Sequence, residues 1–281
     1  MFGSHLSISG GMHNALLSAE KFGMETVQVF TKNQQQWKCS PLSDSVITQW
    51  AGHRDRLKFK HTVSHDSYLI NLASADPVLR AKSIELFAEE LRRCVLLGIP
   101  YLVTHPGAHM GEGEEAGLLR VAAALDEVHA MLPADGVITC LEITAGQGSS
   151  LGYRLEHLAT ILEKVKNLRR LGVCLDTAHL FAAGYDFRGR KYTKFRKELD
   201  STIGIKQVKV LHLNDSKKEL GSRVDRHDHI GRGKIGLDGF RPFVRDEALE
   251  NIPKILETPK EKDEQGRHWD EVNLQTLRSL L

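Results

Sequence analysis

No stretch of the sequence approaches the roughly 18 consecutive apolar residues that a membrane-crossing helix needs. Nor is there a charged-then-apolar leader of the kind that directs export. Cysteine is sparse. The four present, Cys39, Cys94, Cys140 and Cys174, are far apart and form no Cys-x-x-Cys pair. That spacing argues against a disulfide framework and against a cysteine zinc site. Cys140 and Cys174 lie in apolar, strand-like runs, where a thiol behaves as a small hydrophobe. Free thiols suit a reducing compartment. The expectation is a soluble, cytoplasmic protein with no membrane partner.

Net charge is also nearly missing. Lys and Arg number 38, Asp and Glu 36, and the formal sum is +2. This balance does not announce a nucleic-acid binder. It does not exclude one, because carboxylates that hold metal would mask a basic face in the sum. Long linkers and low-complexity segments are absent as well. What remains is 41% apolar and 26% charged residues over 281 positions, enough for a large core under an ordinary surface.

Eight short apolar runs alternate with helical patterns. The runs are Phe2–Leu6, Thr26–Phe30, His61–Ser64, Tyr101–Thr104, Val137–Ile143, Leu171–Leu175, Val208–Leu213 and Pro253–Leu256. Helical stretches lie near 11–22, 43–58, 76–97, 115–132, 154–166, 190–203, 238–246 and 268–280. Asp76-Pro77 reads as a cap followed by an early proline, and Gly98 as a left-handed helix stop. Eight strand–helix pairs of this length predict one α/β domain over residues 1–281, a TIM (β/α)8 barrel. A doubly wound open sheet competes. The count of eight and the fully apolar strands favour the barrel.

The informative feature is where the metal-type side chains fall. Run three leads to His65 and run four to His105. Run five carries Glu142, and run six leads to Asp176, with His179 three residues on. Run seven holds His212, and run eight leads to Glu257. The segment after run seven adds Asp225 and His227. A barrel brings all these strand ends to one rim, the rim where barrel active sites lie. One histidine at a strand end is more often structural; six strands in a row are not explained that way. Four carboxylates crowded together repel and need a counter-charge, which divalent cations supply. Five His and four Asp/Glu suit zinc, and manganese and iron also fit these ligand types. Nine ligands exceed one tetrahedral ion and suit three. The other histidines do not share this reading: His53, His129, His157 and His268 lie on helical stretches and read as solvated, His5 lies in the first strand, and His109 and His229 lie in rim loops.

Several segments resemble the signatures of the endonuclease IV family. They are His65-Asp66-Ser67-Tyr68-Leu69-Ile70-Asn71-Leu72, Gly172-Val173-Cys174-Leu175-Asp176-Thr177-Ala178-His179, and His212-Leu213-Asn214-Asp215-Ser216-Lys217 with Gly221-Ser222-Arg223-Val224-Asp225-Arg226-His227. Glu142 with Thr144-Ala145-Gly146-Gln147-Gly148, Leu256-Glu257-Thr258 and Phe30-Thr31-Lys32-Asn33-Gln34 extend the likeness from Ser7 to about Thr258. The resemblance implies three zinc ions per chain. His65 and His105 would bind the first, and Glu142 would bridge it to a second. Asp176, His212 and Glu257 would complete the second. His179, Asp225 and His227 would hold the third. It also implies duplex DNA with abasic sites as partner, hydrolysed on the 5′ side of the lesion to leave a 3′-hydroxyl and a 5′ deoxyribose phosphate. Cleaning of blocked 3′ ends is the related activity.

Two positions depart from the family pattern. Gln35 stands where an arginine is usual, and Ile143 where an asparagine is usual after the bridging Glu. Glu257, with Glu142, is the catalytic candidate, since a carboxylate beside the ions can orient or deprotonate the attacking water. Tyr68 and Leu69 read as wedges that fill the gap in lesion-bearing DNA, with Gln35 beside them. Lys32, Arg226, Lys217 and Arg232 read as phosphate contacts. A rim facing DNA suits a monomer with no obligate protein partner. A sugar isomerase on the same barrel is the main rival, but it needs only one or two ions, and Asp225-x-His227 supplies a third. The segment after Thr258, with Lys260-Glu261-Lys262-Asp263-Glu264, reads as solvated.

Overall fold

The computed structural model describes residues 1–132 and 136–281. Its barrel strands are β1 (Phe2–His5), β2 (Thr26–Phe30), β3 (Val63–His65), β4 (Tyr101–Thr104), β5 (Ile138–Glu142), β6 (Leu171–Asp176), β7 (Val208–His212) and β8 (Lys254–Leu256). All pair in parallel and close in the order β1-β8-β7-β6-β5-β4-β3-β2. The TIM barrel expected from the apolar runs is therefore what forms, and the open sheet is excluded. The third strand starts at Val63 rather than His61.

Two apolar layers build it. Strand residues such as Val27, Leu102, Leu141, Val173, Leu175 and Leu211 face outward and join the helices in one large core. A second, smaller cluster contains Val63, Val103, Cys140, Cys174, Val210 and Ile255, one from each of β3 to β8. It fills the barrel interior, as packed side-chain layers do in this architecture. Side chains alternate faces along a strand, so the residue two positions on points inward again. Two positions beyond these six residues stand His65, His105, Glu142, Asp176, His212 and Glu257. The apolar plug is the floor, and the ligand layer sits directly on it.

The helices outside are α1 (His13–Lys21), α2 (Asp44–Leu57), α3 (Pro77–Leu97), α4 (Glu114–Met131), α5 (Leu155–Lys164), α6 (Thr177–Ala183), α7 (Tyr192–Thr202), α8 (Leu237–Arg245) and α9 (Trp269–Arg278). Asp76 caps α3 by accepting from Val78 N and Leu79 N, and Gly98 ends it at φ 62°. Helix α6 was not foreseen. It has seven residues and is buried nearly all round, so it shows no amphipathic period to read.

Candidate metal centre

Strand period two accounts for six ligands; α6 and the loop after β7 supply the rest. Asp176 ends β6 and caps α6, its Oδ1 accepting from His179 N at 2.8 Å. That cap places His179 on the first turn of α6, over the same rim. The carbonyls at the end of α6 have no intrahelical donors. The loop after β7 uses them: Gly221 N donates to Phe181 O and Arg223 N to Ala182 O. A short antiparallel ribbon pairs Asp215–Ser216 with His227–Asp228. Buried Asp215 accepts from Gly231 N and Ile235 N at 2.9 Å each. These ties carry Asp225 and His227 back over the barrel mouth, beside His179.

All nine predicted side chains meet there, in overlapping groups. Glu142 Oε2 lies 3.1 Å from His65 Nε2 and 3.2 Å from His105 Nε2. Its other oxygen lies 3.1 Å from His212 Nδ1, which is 3.2 Å from Glu257 Oε2 and 3.8 Å from Asp176 Oδ2. His179 Nε2 lies 3.2 Å from Asp225 Oδ2, and His227 Nε2 lies 3.3 Å from Asp225 Oδ1 and 3.7 Å from Asp176 Oδ2. The sets His65–His105–Glu142, Glu142–Asp176–His212–Glu257 and Asp176–His179–His227 each bring their donor atoms within 4.8 Å of one another. Glu142 is shared by the first two. Asp176 is shared by the last two, a juxtaposition the sequence did not reveal.

The donor set fits divalent cations. A metal-ligating histidine usually gives its second ring nitrogen to an oxygen that fixes tautomer and orientation. Here His65 Nδ1 donates to Asp66 O at 3.0 Å, His179 Nδ1 to Ile143 O at 2.9 Å and His227 Nδ1 to Glu257 O at 3.2 Å. His212 is turned the other way, its Nε2 donating to Gln28 Oε1 at 2.8 Å. In all four rings the remaining nitrogen points at the carboxylates. His227 Nε2 is buried there and makes no hydrogen bond. A cation is the partner such a nitrogen suits.

Charge in the cluster is interlocked. Burial would lower the His65 pKa, but Glu142 beside it outweighs burial and holds it at about 9. Burial would raise Glu142, yet the His212 and His105 charges hold it well below the usual carboxylate range. Asp225 stays at about 2 against its burial because His179 donates to it. These carboxylates are held ionised, the form a metal requires.

Ile143 takes part through its backbone carbonyl, which accepts from His179 Nδ1. Three residues outside the predicted ligand set support it. Gln28, inward on β2, donates to Glu257 Oε1 at 2.5 Å and to His5 Nδ1 at 2.9 Å while accepting from His212. Its signal was a polar side chain at an inward strand position. His5 does point into the site, 3.5 Å from Glu257 Oε1. Asn214 donates to Asp176 Oδ2 at 2.7 Å and accepts from Glu257 N at 2.7 Å.

Two adjoining cavities open above the cluster, of about 500 and 620 Å³, and Tyr68 and Asp225 line both. Tyr68 is 70% exposed, its ring resting on Phe30 and His65 at 5.6 and 6.1 Å. Leu69 does not stand beside it as a second free wedge, because it is half-buried against the core. Gln35 and Arg226 are exposed on the rim. Lys32 is buried instead, with Nζ donating to Asn33 O at 2.8 Å, and Arg232 lies over Trp269. His129 and His157 are buried, not solvated, and His229 is stacked 3.8 Å from Trp269. Lys260 is not free in solvent either: it pairs with buried Asp270 at 2.7 Å.

Among the described residues no helix is long and apolar enough to cross a membrane. Residues 16–280 match the family described as Xylose isomerase-like TIM barrel. A protein named probable endonuclease 4 from Chloroflexus aurantiacus is 50% identical over 100% of this chain and 98% of its own. Another of that name from Citrifermentans bemidjiense is 44% identical over 100% and 99%. The crystal structure of endonuclease IV from Thermus thermophilus superimposes with TM-score 0.87 at 34% identity, covering 99% of this chain and 98% of that one. With a barrel rim that gathers these His, Asp and Glu side chains, and with relatives of that name matching it over its whole length, the chain belongs to the endonuclease IV family of nucleases.

Proposed function

We propose that this protein is a cytoplasmic, monomeric DNA-repair enzyme, one barrel domain, that hydrolyses the phosphodiester on the 5′ side of abasic sites in duplex DNA. The products are a 3′-hydroxyl and a 5′ deoxyribose phosphate, with trimming of blocked 3′ ends as the related activity. The observation that carries the reading is the linked array of candidate donors, in which Glu142 and Asp176 each belong to more than one group. Its composition suits three zinc ions held by His65, His105 and Glu142, by Glu142, Asp176, His212 and Glu257, and by Asp176, His179, Asp225 and His227, with manganese or iron as substitutes.

Bound there, divalent cations would neutralise the phosphate and lower the pKa of water. The chain's own groups do the rest. Glu257 keeps one oxygen on Gln28 and turns the other toward His212, so it can orient water and take its proton. Tyr68 stands free at the mouth, an aromatic face that can fill the space of a missing base. An abasic sugar lacks stacking and pairing, so moving it to the rim costs less than moving an intact nucleotide. Exposed Arg226, Gln35 and Lys217 lie where backbone phosphates would pass.

The test is cleavage of a duplex carrying one stable abasic analogue, before and after chelation. A single 5′ incision that disappears on stripping and returns with zinc is the expected result. A protein that retains metal and leaves the duplex intact would overturn the assignment.

A further inference from the structure

The loop after β2, residues 31–40, is held by one guanidinium at both ends. Arg93, buried on α3, donates from Nε and Nη2 to Thr31 O at 3.1 and 2.6 Å. The same group donates from Nη1 to Ser40 O at 3.0 Å. Glu90 lies one turn earlier on α3, on the same helix face, and accepts from Thr31 Oγ1 at 2.5 Å. The middle of the loop is pinned too, with Ser67 Oγ donating to Gln34 O at 2.9 Å. Ser67 directly precedes Tyr68, so the clasp ties this loop to the loop that carries the exposed aromatic.

We propose that Arg93 is a positioning residue that presets the β2 loop for lesion-bearing DNA. The inference rests on the reading of the protein as an abasic-site nuclease. Gln35, Gln36 and Lys38 are exposed on this loop, and Trp37 leans on the core. A free loop of this length would be ordered only on binding, at a cost in affinity; a loop already closed in the free protein avoids that cost. Closing it takes a rigid fork. Arg presents several donors in fixed geometry, whereas Lys is a single flexible point charge and does not span both carbonyls. The arrangement has particular weight here, because Gln35 brings no charge to the loop. Shape must supply what charge does not.

The test compares wild type with Arg93→Lys and Arg93→Gln on the abasic-analogue duplex. Steady-state rates, bound zinc and hydrogen exchange of the 32–39 amides are recorded for each. In both variants these amides exchange faster than in wild type, and KM rises roughly tenfold, the scale of one lost charge-assisted hydrogen bond. The kcat and bound zinc stay unchanged. Loop amides that exchange equally fast in wild type and variants would overturn the inference. So would an unchanged KM, full rescue by Lys, or a fall of kcat together with zinc. Wild type that fails to cut the duplex counts against the nuclease reading; wild type that cuts while the variants keep its KM counts against this one.

Discussion

The strand-end ligands and the β2 and β3 loops share one rim but are held in place by different means. Each ligand on β3 to β8 stands two residues beyond an interior apolar side chain, in an element whose geometry leaves no choice of direction. The loop residues take their places from contacts far away in sequence: Arg93 reaches Thr31 across 62 positions, and Ser67 reaches Gln34 across 33. Chemistry that needs fixed distances is built on strands, and contact with a large, variable polymer is left to clasped loops. If that division holds, changes in the strand layer act on turnover or metal, and changes in the loops act on substrate affinity.

The largest effect is expected at Glu257. Replacing it with Gln keeps its size and its contact with Gln28 but removes the proton acceptor. General-base removal costs on the order of 10²–10⁴ in rate, so kcat should fall by about a thousandfold with KM little changed. Turnover within a few-fold of wild type would take Glu257 out of the chemistry. Next is Gln28→Leu, which removes the acceptor that turns His212 Nδ1 toward the carboxylates. Outer partners of ligands are worth roughly 10–100-fold in metal affinity. Competition with a zinc chelator should show a loss on that scale, and wild-type affinity in this variant would sever Gln28 from the centre.

On the loop side, Tyr68→Ala removes an aromatic face worth about 1–3 kcal/mol per stacked base. Affinity for the abasic duplex should drop roughly tenfold while kcat at saturation holds. A fall confined to kcat would erase the contrast between strand and loop.

The same division decided what could be read in advance. The barrel was legible, and so was the gathering of six metal-type side chains at strand ends, because strand alternation and strand-end placement are local rules. His179 was singled out by its place three residues after Asp176, although α6 was not seen. Gln28, Asn214 and the sharing of Asp176 were not legible, because their roles arise between strands that meet only when the barrel closes. The exposure of Leu69 and Lys32 was not legible either. A loop residue's exposure depends on what packs around it: Lys32 is buried, and Leu69 is half-buried against the core.

The smallest effect should come from the support beneath the β2 loop. Glu90 is fully buried, and burial pushes its carboxyl up from 4.5 to about 7. The Thr31 hydroxyl, Lys32 and Arg93 pull it down, and Asp66 pushes it up further. The folded protein therefore keeps the Glu90 proton between about pH 4.5 and 7, where the unfolded chain has lost it. Native binds more protons in that window, so stability falls as pH rises through it and is flat, for this group, on either side. Glu90→Gln retains an acceptor for Thr31 and cannot titrate. Asp66 is raised to about 7 by burial as well, so the absolute slope is shared and the difference between proteins is the readout. From pH 5 to 7 the wild type should lose on the order of 1–2 kcal/mol more than Glu90→Gln, roughly 3–6 °C in Tm for a chain of this size. Identical slopes would mean that Glu90 is already ionised in the fold, balanced by Arg93 and Lys32. The clasp under the loop would then be an ion pair rather than a neutral acid beside a cation.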